Sequence, residues 1–329
     1  MFHEIIGHIN KIERFDRIIN TRGLKVGEVE TPSGATQLAF RLPSDEVVTM
    51  EPRAQAQMLG GWRVPAEHFA RLPRELQAAE LTHFATRQPK ELTLRAVTQP
   101  GAAIPTVRAA LSGKYTPFDN AEVLETVSQD VEGYELARPD VQRDEMAIVL
   151  VRPEAHDVSK RQLGDLVKTG ITIRNSEIGT MSLGVDFTAW RLACLNGMIR
   201  PTSEVTVRQR HIWIDRKSFA IQLRHAVMQA REIGMTIING LRAAHDFALP
   251  NLDPDEGKLQ RGIVGLLRRE GLYNRDFVRE AAEVVGVKEE GSVFGLIQFL
   301  TGDYAKRGEM AERMARERAA GRILDLVTA

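Results

Sequence analysis

The stretch RLACLNGMI, residues 191–199, holds the only cysteine of a 329-residue chain. A thiol at Cys194 admits three roles: a thiolate nucleophile, a metal ligand, or a small apolar residue in a core. Nucleophilic attack needs a base or a helix N-terminus to lower the thiol pKa, and Asn196 and His211 are the residues that would assist. The flanking Leu192, Ala193 and Leu195 are apolar, which raises a thiol pKa and favours packing. One cysteine cannot build a Cys-rich zinc site. Core packing is therefore the expected role of Cys194. The informative residues of the stretch become Arg191, as a phosphate contact, and the Asn196-Gly197 turn signal.

Other catalytic patterns are missing. No G-x-x-x-x-G-K-[ST] cradle, no G-x-G-x-x-G after a strand and no H-E-x-x-H occur in the chain. His225 and His245 stand 20 residues apart on one expected helix and point to opposite sides. Asp253, Asp255 and Glu256 in NLDPDEG would suit a hard cation, but acids before a helix more commonly answer its dipole. An enzymatic alternative places a metal-dependent nuclease or hydrolase site near Asp119, Glu177 and His211.

Cations carry the stronger signal. The chain balances 44 basic against 44 acidic residues, but unevenly: residues 160–246 hold 13 Lys/Arg against 7 Asp/Glu. Residues 1–159 hold 18 against 23, and 247–329 hold 13 against 14. A basic middle between acidic flanks points to a localised anion-binding surface. Lys217, Arg224, Arg231 and Arg242 are separated by 7, 7 and 11 residues, close to whole helical turns, and form one row on a helix. That row lies about 130–150° from the centre of an apolar stripe built by Phe219, Leu223, Val227, Ala230, Ile233, Ile237, Leu241 and Ala244. Thr206, Arg208 and Arg210 share one face of an expected strand. Aromatic residues stand beside cations at Lys114-Tyr115, Trp190-Arg191 and Arg210/Trp213. Rings for bases and cations for phosphates are the components of sequence-tolerant single-strand binding.

These residues need a scaffold. LKVGEVET and TQLAFRL around a PSG turn predict a hairpin, and EVVTM, ELTLRAV, TVRAALS and MAIVLVR predict further strands. AQAQMLGGW, PAEHFARL, RELQAAELTHFA and NAEVLETV predict helices, the last capped by Asn120, whereas RPEAHDVSK reads as a polar connection. ITIRN, MSLGVDF, WRLACLNGMI and SEVTVRQRHIWI predict the strands of the middle, followed by a helix over 217–247 about 45 Å long. After residue 251 the pattern is helical throughout.

Three segments resemble the signatures of a phage- and plasmid-borne family known as phage/plasmid-like proteins, described only as a domain of unknown function. R-A-x-L-S-x-x-Y-x-P-x-D-N matches at Arg108, Ala109, Leu111, Ser112, Tyr115, Pro117, Asp119 and Asn120. N-S-E-x-G matches at Asn175, Ser176, Glu177 and Gly179, and R-L-x-C-x-N-G at Arg191, Leu192, Cys194, Asn196 and Gly197. The resemblance runs from about residue 50 to 250. The order of strands and long helix is also similar to single-strand annealing proteins of the RecT, Redβ, ERF and Rad types. That similarity implies a curved antiparallel sheet, a basic groove and no nucleotide hydrolysis.

The expectation is an α+β fold, an antiparallel sheet packed on one long helix with a C-terminal helical subdomain. Its regions are a mixed part over 1–159, a basic part over 160–250 sharing one core with the first, and helices over 251–329. The expected function is non-enzymatic binding and annealing of single-stranded DNA by a homo-oligomer in phage or plasmid DNA metabolism. No cofactor or metal is expected. Arg108, Lys114, Tyr115, Arg174, Arg191, Arg208, Arg210, Lys217, Arg224 and Arg231 are the expected nucleic-acid contacts. The alternatives are a protein-binding phage factor, such as a host-defence inhibitor or assembly factor, and the nuclease. With one cysteine, no apolar leader and no membrane-length apolar run, a cytoplasmic location is expected, that of the host if phage-encoded.

Overall fold

Alternation in the first third of the chain builds a sheet with two differently used faces. The computed structural model describes residues 2–9, 13–30, 36–99, 101–159, 165–192, 196–200, 207–209, 211–252, 257–288, 291–302, 304 and 307–328. Helix α1 (His3–Ile9) precedes β1 (Glu13–Asn20), β2 (Lys25–Glu30), β3 (Thr36–Arg41) and β4 (Val47–Met50). Helices α2 (Pro52–Gly61), α3 (Ala66–Ala70) and α4 (Arg74–Arg87) lead to β5 (Glu91–Thr98) and β6 (Thr106–Ser112). The sheet order is β1-β5-β6-β4-β3-β2, antiparallel except for the β4–β6 pair. Leu92, Leu94 and Ala96 of β5 pack with Met58 and Leu81 of the covering helices, while Arg95 points to the opposite face.

The second sheet is an antiparallel meander. After α5 (Asn120–Val127), strands β7 (Glu135–Val141), β8 (Glu145–Asp157), β9 (Leu166–Ser176), β10 (Leu183–Arg191) and β11 (Asn196–Arg200) pair in sequence order, and β12 (Val207–Gln209) also pairs with β10. Ile148 and Leu150 of β8, Ile171 and Ile173 of β9, and Val185 and Phe187 of β10 enter one large core with α5, α6 (Arg216–Ala244) and the C-terminal helices. On the other face the Arg138 guanidinium of β7 lies 5.4 Å from the Trp190 ring of β10, although two strands separate theirs, so the sheet curls strongly. The first part of helix α10 (Met310–Thr328) reaches this face, while its second part enters the large core. Arg138 bonds both carboxylate oxygens of Glu317 at 2.5 and 3.0 Å, and Met310 and Met314 pack on Ala147.

Asp215 caps α6 by accepting from the Lys217 amide at 3.1 Å. Phe219, Leu223, Val227, Ile237, Leu241 and Ala244 of α6 are buried. Helices α7 (Lys258–Arg269), α8 (Arg275–Lys288) and α9 (Val293–Thr301) complete the chain before α10. Gly240 lets α10 cross α6, since a Cβ there would come 2.9 Å from the Thr328 methyl. No helix among the described residues is long and apolar enough to cross a membrane.

The chain is α+β, with two sheets and two main cores in place of one sheet and one shared core. The core of the first sheet draws on residues between 15 and 110; that of the second takes Phe2 and Ile9 together with residues from 118 onward. The division therefore falls inside the region 1–159, because β7 pairs with β8 and β8 with β9 rather than with the first sheet. RPEAHDVSK is not a connection: β8 continues through Asp157, with Ala155, His156 and Asp157 paired to β9. Strand β7 carries no clear apolar alternation and was not expected. Asn120 is the first residue of α5 rather than its cap, since its side chain accepts from Asn175.

Candidate functional site

Two of the signature segments meet where the sheets face each other. On β6, Val107 pairs with Ala96 and Ala109 with Arg95, so Arg108 is the extra residue of a β-bulge. Bulges re-aim side chains, and this one sends Arg108 across to the second sheet. Its Nη1 donates to Asp144 Oδ1 at 2.5 Å and to Glu177 Oε2 at 2.8 Å. Glu177, fully buried, also accepts from Arg14 Nε at 3.0 Å, and its Oε1 accepts from the Asn120 amide at 3.0 Å. The Glu177 carbonyl accepts from Arg95 Nη1 at 3.0 Å and from the Tyr115 hydroxyl at 3.1 Å. Arg95 further bonds Asp16 at 3.0 Å and, through Nη2, Asp119. Arg143 bridges Asp144 and Glu51.

The charges in this junction answer one another. Burial opposes the Arg95 cation, but Asp119 and Asp16 more than compensate and raise its pKa. Burial raises the Asp144 carboxyl, yet hydrogen bonds from Arg143 and Arg108 outweigh it and hold the pKa below the usual range. Burial pushes the Tyr115 phenol up to about 12, so it stays a donor. Both Glu177 oxygens are committed to arginine and amide donors. The arrangement holds two sheets together and gives Glu177 no open face for acid–base work.

A second network extends from it. Asn175 Nδ2 donates to the Phe118 carbonyl and Asn120 Oδ1, each at 2.9 Å, which turns its Oδ1 toward His211 Nε2 at 2.9 Å. That nitrogen must donate. Burial lowers the His211 pKa to about 4, against the raising effect of the Thr116 carbonyl 3.3 Å from Nδ1, so the ring is neutral near pH 7. The ring stacks on Tyr115 with centroids 5.1 Å apart. Beside this pair opens a cavity of about 350 Å³, walled by Leu111, Ser112, Thr180, Met181, Ser182 and Ile212.

Further cations recur on α6. Lys217, Ile221, Arg224, Met228, Arg231 and Met235 recur at alternating four- and three-residue steps, and Arg242 follows seven later. By helical geometry these positions fall within about 45° of Lys217, and the one acid of α6, Glu232, falls about 60° away. Ile221 is 68% exposed, Met228 66% and Met235 48%. The cations therefore share their face with apolar side chains, rather than forming the separate row that spacing suggested. Trp213, 72% exposed, precedes the helix with φ of 54°, a left-handed conformation rare for a bulky residue.

The expected contacts divide by burial. Arg108 and Arg174 are interior: Arg174 pairs with Asp186 at 2.9 Å and donates to the Ser182 carbonyl. Neither presents its charge to a polyanion at the surface, which corrects the expectation for these two. Arg191 is partly covered and engaged by Asp165 and Gln298. Tyr115 is buried and committed to Glu177 and His211. Lys114, Lys217 and Arg224 are exposed, and Arg224 pairs with Asp130 at 3.1 Å. The side chains of Arg208 and Arg231 lie outside the described residues, as do Arg210, Cys194 and the acids 253, 255 and 256. Among the described residues no group of three or more His, Cys, Asp or Glu is placed to hold a metal ion. Arg14, Asp16, Arg95 and Asp144 were missed, because strand alternation marks a face but not its cross-sheet partner.

Residues 108–234 match the model of a family described as a domain of unknown function (DUF932). The match begins at the bulged Arg108 and ends within α6, and covers less than half of the chain. It supports an uncharacterised domain family for this part of the chain. No curated protein and no solved structure matches the chain.

Proposed function

We propose that the chain binds single-stranded nucleic acid along the solvent face of α6 and anneals complementary strands without nucleotide hydrolysis. The setting is phage or plasmid DNA metabolism. The observation that carries the reading is that face itself. Lys217, Arg224 and Arg242 are interleaved with exposed Ile221, Met228 and Met235, and an outward Trp213 stands at the helix start. Cations neutralise phosphates, and exposed apolar and aromatic groups accept unpaired bases, which a duplex keeps stacked inside. An antiparallel meander followed by a long helix is also the order of elements in the annealing proteins that the sequence resembles.

Fluorescence anisotropy with a labelled oligothymidylate at low and moderate salt tests this. Binding should weaken as salt rises, with a log–log slope of about −0.7 per phosphate neutralised. Lys217→Glu with Arg224→Glu should reduce affinity and flatten that slope. Absence of binding at low salt, or a double variant that binds like the parent, overturns the reading.

A second reading rests on the seven-residue spacing of Ile221, Met228 and Met235, which equally suits a partner helix. It is the protein-binding role, and partner capture insensitive to nucleic acid would favour it.

A further inference from the structure

The cavity beside the Tyr115–His211 ring pair lies apart from the α6 face and has a chemistry of its own. At about 350 Å³ it stands at the small end of the roughly 300–1,000 Å³ typical of ligand pockets. It is walled by aliphatic and thioether groups of Leu111, Met181 and Ile212, by the rings of Tyr115 and His211, and by the hydroxyl side chains of Ser112, Thr180 and Ser182. The wall group that ordinarily titrates near neutrality, His211, is held neutral by burial. Among the described residues no charged side chain lines the cavity, so an anion meets no counter-charge from them inside it. An uncharged planar ring with hydrogen-bonding edges fits such walls.

The entrance adds two features. Lys114 is exposed in the turn between the wall residues Ser112 and Tyr115. Trp213, next in sequence to the wall residue Ile212, projects into solvent from its left-handed backbone. A bulky residue held at positive φ is costly, and such strain tends to persist where function uses it. We infer that this cavity receives one unstacked nucleobase of a bound single strand. The phosphate of that nucleotide is held outside by Lys114, and the neighbouring base stacks on Trp213. This inference rests on the nucleic-acid reading but uses a separate surface, so the cavity assignment can fail while the α6 reading stands.

The test compares a single strand carrying all its bases with an abasic strand of equal length and charge, in protein bearing Trp213→Ala. Removing Trp213 takes away the external platform, and the cavity-filling changes then separate the cavity's share of base preference from that of Ile221, Met228 and Met235 on α6. The strand with bases should bind about 5- to 100-fold more tightly, the range expected for one buried, stacked base. Adding Ser112→Phe, at an exposed wall position, should fill the entrance and sharply lower the preference without altering affinity for the abasic strand. Met181→Trp, at another wall residue, should do the same, and circular dichroism checks that each variant is folded. Equal binding of the two strands by the Trp213→Ala protein overturns the cavity assignment and leaves phosphate binding by the α6 cations standing. A preference that both cavity-filling changes leave undiminished also overturns the cavity assignment. Failure of both strands to bind overturns both readings.

Discussion

His211 shows how much one buried ring can decide. Its Nε2 proton is used by Asn175, and its face covers Tyr115, so the neutral ring belongs to the folded state. An unfolded histidine titrates near 6.5, whereas burial takes this one to about 4. Between those values the unfolded chain binds the extra proton, so stability rises with pH across that window. The contribution is complete above about pH 6.5 and is lost as pH falls toward 4. Its size is about 3 kcal/mol, taken as an order of magnitude. Thermal melts from about pH 7.5 to 4.5 should show a steep loss of stability, and His211→Gln, which keeps a donor for Asn175, should flatten that slope. The lowered Asp144 carboxyl acts in a separate window, its contribution being lost only as pH falls below the ordinary aspartate value. A pH profile that His211→Gln leaves unchanged would mean that other groups govern the acid limb.

Among the elements, strand irregularities do the positioning. The β6 bulge turns Arg108 toward the second sheet, a direction that an unbroken ladder with strict alternation would not have given it beside its neighbours. The β8–β9 ladder jumps from Val151↔Gly170 to Ala155↔Lys168, and at that jump the two backbones crowd together. A Cβ on Gly170 would lie 1.9 Å from the Leu150 carbonyl oxygen and 2.7 Å from the Val151 Cα, both backbone atoms with little freedom to move. Gly170→Ala should therefore destabilise the fold by about 3 kcal/mol or more, read from urea unfolding. A Cβ on Gly27 would meet nothing within 4 Å, so Gly27→Ala should be close to neutral or mildly stabilising. Similar losses at the two sites would show that the close approach at Gly170 relaxes readily.

At the scale of the whole molecule, two cores are joined by an ionic junction rather than by a continuous apolar seam. Glu177 ties Arg14 of β1 and Arg108 of β6 to the helix start at Asn120, across separations of up to 163 residues. Glu177→Ala would leave the buried Arg108 guanidinium, the partly buried Arg14 guanidinium and one amide without this partner, a loss of about 3–5 kcal/mol by analogy with broken buried pairs. Because each sheet keeps its own apolar core, calorimetry should resolve this variant into two transitions where the parent shows one. Glu177→Gln, which retains an acceptor oxygen, should be milder. A single unshifted transition in Glu177→Ala would mean that the junction contributes little to cohesion.

Local physics made much of this protein legible in its sequence. Apolar alternation in ELTLRAV and MAIVLVR, the β2–β3 hairpin and the helical rhythm from Phe219 to Ala244 each depend on neighbours a few residues away. They led to the α+β class and to most of its elements. The cations of α6 were found in the same way, because helical spacing is also a local property. What only the tertiary structure decided is which charges are spent inside. Arg108 and Arg174 have the residue type of a phosphate contact, yet Asp144, Glu177 and Asp186 consume their charge. Lys217 and Arg224 have the same chemistry and stay at the surface. The physical reason is that a guanidinium's partner is set by strands and turns that meet only after both sheets form, and no short-range spacing records that meeting.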